Sequence, residues 1–197
     1  MKVLKMKNVN PKPISVTSED NESEKIVLKA ARFSDAGNHE GALQILSNAH
    51  SQATHVVNAR GVCQMRLGRN ADALKTFRSF VMQSGCTWMK RELPVVYRTN
   101  FVTAILLSNL PNGVRDTLAE ISEKDHPSVM RLQDAVNAWQ KSLSWWQKLN
   151  WKLGVVPAVP LTIDFVPGQF IDSLPASPAP PRQNLNQPSQ QVTNQLA

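Results

Sequence analysis

Two stretches of the chain share one residue pattern, and this repeat constrains the fold more than any other feature. Residues 37–43 and residues 68–74 both read G-x-x-x-x-A-L, and the two copies are 31 residues apart. Small and apolar residues also correspond at this offset: Ala30 with Gly61, Ile26 with Val57, and Leu46 with Phe77. A fixed period of this size is typical of chains that are built from stacked supersecondary units.

Each copy has the residues that a helical hairpin needs. Gly37 and Gly68 can adopt the left-handed conformation that ends a first helix. Asn38 and Asn70 can then cap the second helix through their side-chain oxygens. The alanine at the sixth place of the pattern leaves room for the two helices to cross closely. The repeat therefore predicts two consecutive helical hairpins.

A third and more divergent copy follows after an insertion near residues 84–93. Five residues correspond to the second copy at an offset of 44: Ile105, Asn112, Thr117, Leu118 and Ile121 match Gly61, Gly68, Ala73, Leu74 and Phe77. Pro94 suits the first turn of a helix, and Asn112-Gly113 indicates the turn of this third hairpin.

Prolines are almost absent from the interior of the chain. Only Pro94, Pro111 and Pro127 lie between Glu22 and Leu153, and the rest of the 13 prolines lie nearer the ends. Because proline interrupts a helix except in its first turn, this distribution predicts one helical domain. We place it at residues 23–153, with hairpins at about 24–50, 54–83 and 94–124 and one long closing helix at 127–153.

On these residues the chain resembles the tetratricopeptide repeat family. The family's small, glycine, small and large apolar places are filled by Ala30, Gly37, Ala42 and Leu46 in the first copy and by Gly61, Gly68, Ala73 and Phe77 in the second. The period of 31 is shorter than the family's usual period of about 34, and Ile26 or Val57 stands at the family's early tryptophan. The resemblance implies an all-α fold of hairpin repeats, a right-handed α-α superhelix (a solenoid), with a long C-terminal capping helix and irregular termini.

The resemblance also implies a function. It implies a non-catalytic protein-binding module, an adaptor or scaffold, whose first helices line a concave groove for a peptide or helix of another protein. The groove-facing places of the family carry over to Val27, Ala31, Asp35, Asn58, Val62, Met65, Arg66, Val102, Leu106 and Asn109. Among these residues, Asn58 or Asn109 is expected to hold the backbone of the partner through its side-chain amide.

The two ends of the chain differ in composition from the interior. We expect an N-terminal arm of residues 1–22 and a Pro-, Gln- and Asn-rich tail of residues 175–197 to be disordered. Residues 154–174 include an apolar, proline-rich stretch, and we expect an extended segment that packs on the domain. Two positions stay open for residues 159–171: the concave groove, or a cover over Trp145.

The closing helix has two faces with large apolar residues. The stripe that is predicted to pack on the repeats contains Val129, Leu132, Val136, Trp139, Leu143 and Trp146. The other face holds Trp145 and Leu149 among Lys141, Lys148 and Lys152, and no acidic residue occurs from residue 135 to residue 163. Such a face is typical of a peripheral membrane binder or of an anionic-polymer binder, which is the alternative function. We favour intramolecular cover of Trp145, because interfacial helices usually have longer apolar faces.

No catalytic or metal-binding pattern occurs in the sequence. The four histidines are scattered, and no phosphate loop, nucleophile motif or metal-ligand spacing is present. We therefore expect no enzymatic activity, no cofactor and no metal, and Cys63 and Cys86 are expected to stay reduced. The net charge of +7 is interpreted as solubility and not as a nucleic-acid site. Without a secretory signal or an apolar run of about 18 residues, the sequence predicts a cytoplasmic protein.

Overall fold

The computed structural model of the protein describes residues 18–153, 155, 157 and 159–171. Within these residues the regular elements are all α-helices, which confirms the all-α class. They are α1 (Ser18–Asp35), α2 (His39–Asn48), α3 (Thr54–Arg66), α4 (Asn70–Val81), α5 (Val95–Leu107), α6 (Pro111–Glu120), α7 (Pro127–Ser142) and α8 (Trp145–Lys152).

The first six helices form three hairpins, and each turn contains one residue in the left-handed region. These residues are Gly37 with a φ of 84°, Gly68 with a φ of 73° and Asn109 with a φ of 58°. Glycine takes this conformation without a steric cost, and asparagine is the residue that tolerates it next best. The turn positions that were predicted for the first two hairpins are confirmed.

The third hairpin is shifted from its predicted register. Helices α3 and α5 have 13 residues each, and their first residues, Thr54 and Val95, are 41 positions apart. The offset of 44 was therefore wrong by three residues, and Asn112-Gly113 lies in the first turns of α6 instead of at the hairpin turn. The proline at the start of α6 fixes the true boundary, since proline is favoured in a first helical turn.

The odd-numbered helices lie side by side, because α1 contacts α3, α3 contacts α5, and α5 contacts α7. Helix α2 packs on α1 and α3, α4 packs on α3 and α5, and α6 packs on α5. At the crossing of α3 and α4, a Cβ atom on Gly61 would lie 2.5 Å from Cζ of Phe77. The small residue of the repeat is thus required by the close approach of these two helices.

The two asparagines that were expected to cap helices have different roles. Asn38 caps α2, since its Oδ1 accepts a hydrogen bond of 2.8 Å from the backbone N–H of Gly41. Asn70 is the first residue of α4 and does not cap it; its Nδ2 donates to the carbonyl oxygen of Leu107 over 3.0 Å. The second asparagine therefore ties α4 to the end of α5.

The N-terminal boundary of the helical part also differs from the prediction. Helix α1 begins at Ser18, so residues 18–22, which were assigned to the disordered arm, are helical. A serine followed by acidic residues is a usual start of a helix. The disorder predicted for residues 1–17 and for residues 175–197 lies outside the described residues.

The predicted closing helix is two helices. Leu143 after α7 is extended, and Ser144 caps the start of α8 in a capping box. The N–H of Gln147 donates to Oγ of Ser144, and the N–H of Ser144 donates to Oε1 of Gln147. This break rotates the following residues, so that Trp146 is exposed and Trp151 is buried in its place. The placement of Trp146 in the core stripe was therefore wrong, and the capping box explains why.

Candidate functional site

Residues 159–171, called here the C-terminal segment, lie on the layer of odd-numbered helices, called here the odd-helix face. The C-terminal segment has no helix or strand. It makes hydrogen bonds to side chains of α3, α5 and α7. Leu161, Gly168 and Phe170 of the C-terminal segment are buried.

Two buried side-chain amides bind the backbone of the C-terminal segment. Asn58 of α3 and Asn100 of α5 are 0% and 3% exposed. Nδ2 of Asn58 donates to the carbonyl oxygens of Gln169 and Phe170, both over 3.2 Å. Nδ2 of Asn100 donates to the carbonyl oxygen of Gln169 over 2.7 Å, and its Oδ1 accepts from the N–H of Gln169 over 3.0 Å. Both backbone groups of Gln169 are thus bound by amides of the helices.

The two asparagines also hold each other. Nδ2 of Asn100 donates to Oδ1 of Asn58 over 2.9 Å, so the amide oxygen of Asn58 has a partner at full burial. A buried polar group without a partner costs about 1–3 kcal/mol. The pair therefore needs the backbone of the C-terminal segment, or another backbone in its place, to satisfy the remaining N–H groups.

Arg66, at the end of α3, extends the row of donors. Its Nε donates to the carbonyl oxygen of Pro167 over 3.3 Å, and its Nη2 donates to that of Gly168 over 3.2 Å. Nη1 of Arg66 is held by Oγ of Ser34 at 2.9 Å and by Oδ1 of Asp35 at 3.0 Å. With the two amides, the helices bind four consecutive carbonyl groups, those of residues 167–170.

Side chains of the C-terminal segment also have specific surroundings. The ring of Phe170 lies under the guanidinium of Arg66, with 4.9 Å between the ring centroid and Cζ of the arginine. The side-chain Oε1 of Gln169 accepts a hydrogen bond of 2.6 Å from Oγ of Ser128 on α7. This residue sequence, and not only an extended backbone, matches the odd-helix face.

The backbone of Gly168 lies close to the side chains of α3. Its φ of 76° is unfavourable for residues with a side chain. A Cβ atom would lie 2.7 Å from Cε of Met65 and 3.0 Å from Cγ2 of Val62. The backbone of the C-terminal segment therefore touches the floor of the odd-helix face at this residue.

A polar network borders the odd-helix face next to Arg66. Oγ of the buried Ser34 lies 2.8 Å from Nδ1 of His39. Burial lowers the pKa of His39, the positive charge of Arg66 lowers it further, and the carboxylate of Asp35 opposes both effects. Burial raises the pKa of the nearby Cys63 thiol to about 12, and the charge of Arg66 opposes this shift. The neutral imidazole and the neutral thiol are thus the favoured forms beside the arginine.

The residues that the resemblance placed in a groove have three kinds of environment. Asn58 and Arg66 bind the C-terminal segment, and the exposed Asp35 holds Arg66. The apolar members are buried in the core: Val27, Ala31, Val62, Met65, Val102 and Leu106. Asn109 is exposed at the turn after α5, where its left-handed backbone closes the hairpin.

The amide that works together with Asn58 is Asn100, which the sequence reasoning missed, as it missed Ser128. With the predicted offset of 44, the residue of α5 that corresponds to Asn58 is Val102. With the observed offset of 41, Asn100 corresponds to Ala59, the neighbour of Asn58. A signal was present, because Asn100 is the one asparagine in α5, a helix in which most residues are apolar. A polar residue on a mostly apolar helix is expected to be buried and to have a hydrogen-bond partner.

The second face that the sequence singled out is exposed. Trp145 and Trp146 of α8 are 66% and 58% exposed and stack on each other, with ring centroids 4.0 Å apart. The C-terminal segment instead binds the odd-helix face, where Nε1 of Trp139 on α7 donates to the carbonyl oxygen of Val159 over 3.0 Å. The cover over Trp145 that we favoured from the sequence is therefore not provided by this segment. Lys141, Lys148 and Lys152 are exposed as well.

Comparisons of the chain with protein-family models, with curated proteins and with solved structures found no match. No helix among the described residues is long and apolar enough to cross a membrane. The same part of the chain contains no group of three or more His, Cys, Asp or Glu side chains that could hold a metal ion.

Proposed function

We propose that this chain is a non-catalytic protein-interaction module, an adaptor or scaffold, that binds an extended peptide on the odd-helix face. One observation carries the proposal: Asn58, Asn100 and Arg66 donate hydrogen bonds to four consecutive backbone carbonyls, those of residues 167–170. Such donors recognise a peptide backbone in an extended form, whose carbonyl groups are free of internal hydrogen bonds.

An extended peptide is favoured over a helix as the ligand. In a helix most carbonyl groups are already paired within the helix itself. The buried amides of Asn58 and Asn100 need free backbone groups at depth, and an extended chain presents them residue by residue. The hairpin turns at Gly37, Gly68 and Asn109 and the row of odd-numbered helices support a tetratricopeptide-like arrangement as part of the same proposal.

The C-terminal segment is then an internal occupant that an outside peptide displaces. A site that is occupied in most molecules binds its ligand with an apparent affinity that is reduced by the fraction of open molecules. The outside ligand is a peptide with the chemistry of the occupant: a glycine, a polar amide side chain and an aromatic residue in succession.

The test uses the full chain and a fluorescent synthetic peptide of residues 159–171. Two variants loosen the internal occupant, Phe170→Ala and Gly168→Ala, while the added peptide keeps both natural residues. We expect the labelled peptide to bind each loosened variant more tightly than the natural chain, by fluorescence anisotropy. Adding Asn58→Ala to a loosened variant removes two hydrogen bonds to the peptide and should weaken binding about tenfold.

The matched control adds Asn137→Ala, which changes an exposed asparagine on α7 and should leave peptide binding unaltered. Circular dichroism checks that every variant stays helical. If neither loosened variant binds the peptide, the C-terminal segment is a fixed part of the fold and the proposal fails. Equal binding with and without Asn58 would place the peptide elsewhere and would also contradict it.

A further inference from the structure

Helix α8 presents an unusual face to solvent. At about 100° per residue, Trp145, Leu149, Leu153 and Trp146 fall within an arc of about 100° on one side of the helix axis. All four are exposed, and Leu153 is 72% exposed. The buried Trp151 lies on the opposite side of the helix. Its ring packs edge-on against the ring of Trp139, with 5.1 Å between the ring centroids. Helix α8 therefore packs on the domain through Trp151, and its apolar stripe faces solvent.

The positive charge lies at the edge of this stripe. Lys148 and Lys152 follow one another along one flank of the stripe, and both are exposed. Nζ of Lys148 donates to the carbonyl oxygen of Lys141 over 3.4 Å, so the backbone of the third lysine is close to Lys148 in the fold. No acidic residue occurs from residue 135 to residue 163, so the local sequence provides no counter-charge.

From this geometry we infer that α8 docks the protein on an anionic lipid surface. The stacked rings of Trp145 and Trp146 enter the headgroup region, where tryptophan is most favoured in membranes. Lys148 and Lys152 stay at the level of the lipid phosphates, which attract them by their charge. The inference is independent of peptide binding, since α8 and the odd-helix face share no residue.

A lipid surface fits this face better than a second copy of the chain does. A twofold contact through α8 would bring Lys148 and Lys152 of both copies together without an acidic partner. A plane of anionic headgroups satisfies the lysines and covers the apolar stripe at the same time. With only eight residues, α8 is about 12 Å long and suits shallow, peripheral attachment.

The attachment site is already folded before it meets lipid. The capping box of Ser144 and Gln147 satisfies the first turn of α8, and Trp151 fixes the helix on the domain. Many interfacial helices fold only on binding and lose part of the binding free energy to ordering. A preformed α8 avoids that cost, which compensates for its short apolar face.

The test is co-sedimentation of the full chain with vesicles of phosphatidylcholine that contain about one third phosphatidylserine. We expect binding to these vesicles and little binding to pure phosphatidylcholine. Added salt should weaken the binding, because it screens exposed charges. The double variant Lys148→Glu, Lys152→Glu should bind at least about 25-fold more weakly, since each lysine near an anionic surface contributes about fivefold.

Matched variants separate this face from the general positive charge of the chain. Lys29→Glu with Lys75→Glu makes the same change in net charge on exposed positions of α1 and α4 and should bind nearly as well as the natural chain. Trp145→Ala with Trp146→Ala should also weaken binding, whereas Trp88→Ala, at a tryptophan that is 54% exposed elsewhere, should not.

Three results would overturn the inference. The natural chain could stay in the supernatant with the anionic vesicles. The Lys29 and Lys75 variant could lose as much binding as the α8 variant, which would show attraction by net charge alone. Sedimentation without lipid could show a dimer that Trp145→Ala disrupts, which would make a second copy the occupant of this face.

Discussion

The odd-helix face and the outer face of α8 use similar residues in opposite ways. Both combine large apolar side chains with cationic ones. On the odd-helix face, Phe170 of the covering C-terminal segment packs against Arg66, and the buried amides bind the backbone of that segment. On α8, Trp145 and Trp146 remain in solvent beside lysines. The difference lies in depth: a polar group that is buried requires a covering chain, whereas a lysine at the surface does not.

This contrast predicts unequal losses of stability for two aromatic truncations, and it gives the largest expected effect. Phe170 is 4% exposed, so Phe170→Ala should lower the free energy of unfolding by up to about 3–5 kcal/mol, and by less to the extent that the loosened C-terminal segment leaves the odd-helix face. Trp146→Ala removes a larger side chain that is mostly exposed and should change stability by no more than about 0.5 kcal/mol. Urea denaturation of the full-chain variants, followed by circular dichroism, measures both. Equal losses would show that the two faces do not differ as described.

Gly168 and Gly37 sharpen the comparison, because both have a positive φ but differ in their surroundings. A Cβ atom on Gly37 would meet nothing within 4 Å, whereas one on Gly168 would meet Met65 and Val62. Gly37→Ala should therefore cost about 1–2 kcal/mol from backbone strain alone. Gly168→Ala should cost about 1 kcal/mol more, because the side chains of Met65 and Val62 must also shift to make room for the new methyl group. If the Gly37→Ala and Gly168→Ala variants have the same denaturation midpoint, the close contacts at Gly168 do not contribute to stability.

The smallest expected effect is a pH dependence beside Arg66. Because the pKa of His39 in the folded chain lies below the ordinary value of 6.5, the unfolded chain binds more protons as the pH falls past that value. The contribution of His39 to stability is thus fully present above about pH 6.5 and decreases below it. His39→Gln should flatten this part of the curve when unfolding is compared at about pH 7.5 and about pH 5.5. A natural chain and variant with the same pH dependence would contradict this account.

The hairpins could be predicted from the sequence because their signals are local. Gly37 and Gly68 lie at the turns where the repeat placed them. The third turn was misplaced because Asn112-Gly113 is the stronger turn signal in the sequence. In the structure the turn residue is Asn109, and α6 begins at Pro111. The break before α8 also had a local signal, the Ser144 and Gln147 capping box, but the regular apolar spacing across it was taken as one helix.

The site depends on contacts that no local pattern contains. Asn58 and the C-terminal segment that it binds are more than 100 residues apart in sequence. The resemblance pointed to Asn58 and Arg66, but it supplied no reason to choose Asn100, whose role exists only when α3 and α5 lie side by side. Polar residues that become buried by tertiary packing are therefore the part of a site that sequence reasoning misses most readily.

The turn of the third hairpin shows how a repeat can be present in the structure and hidden in the sequence. Gly37, Gly68 and Asn109 close equivalent turns, so the glycine of the repeat can be exchanged for asparagine while the geometry persists. A search for the glycine therefore misses the third turn, although its backbone has the same left-handed conformation. Helix α5 has the same length as α3, but its hairpin shares little of the motif by which the first two copies are found.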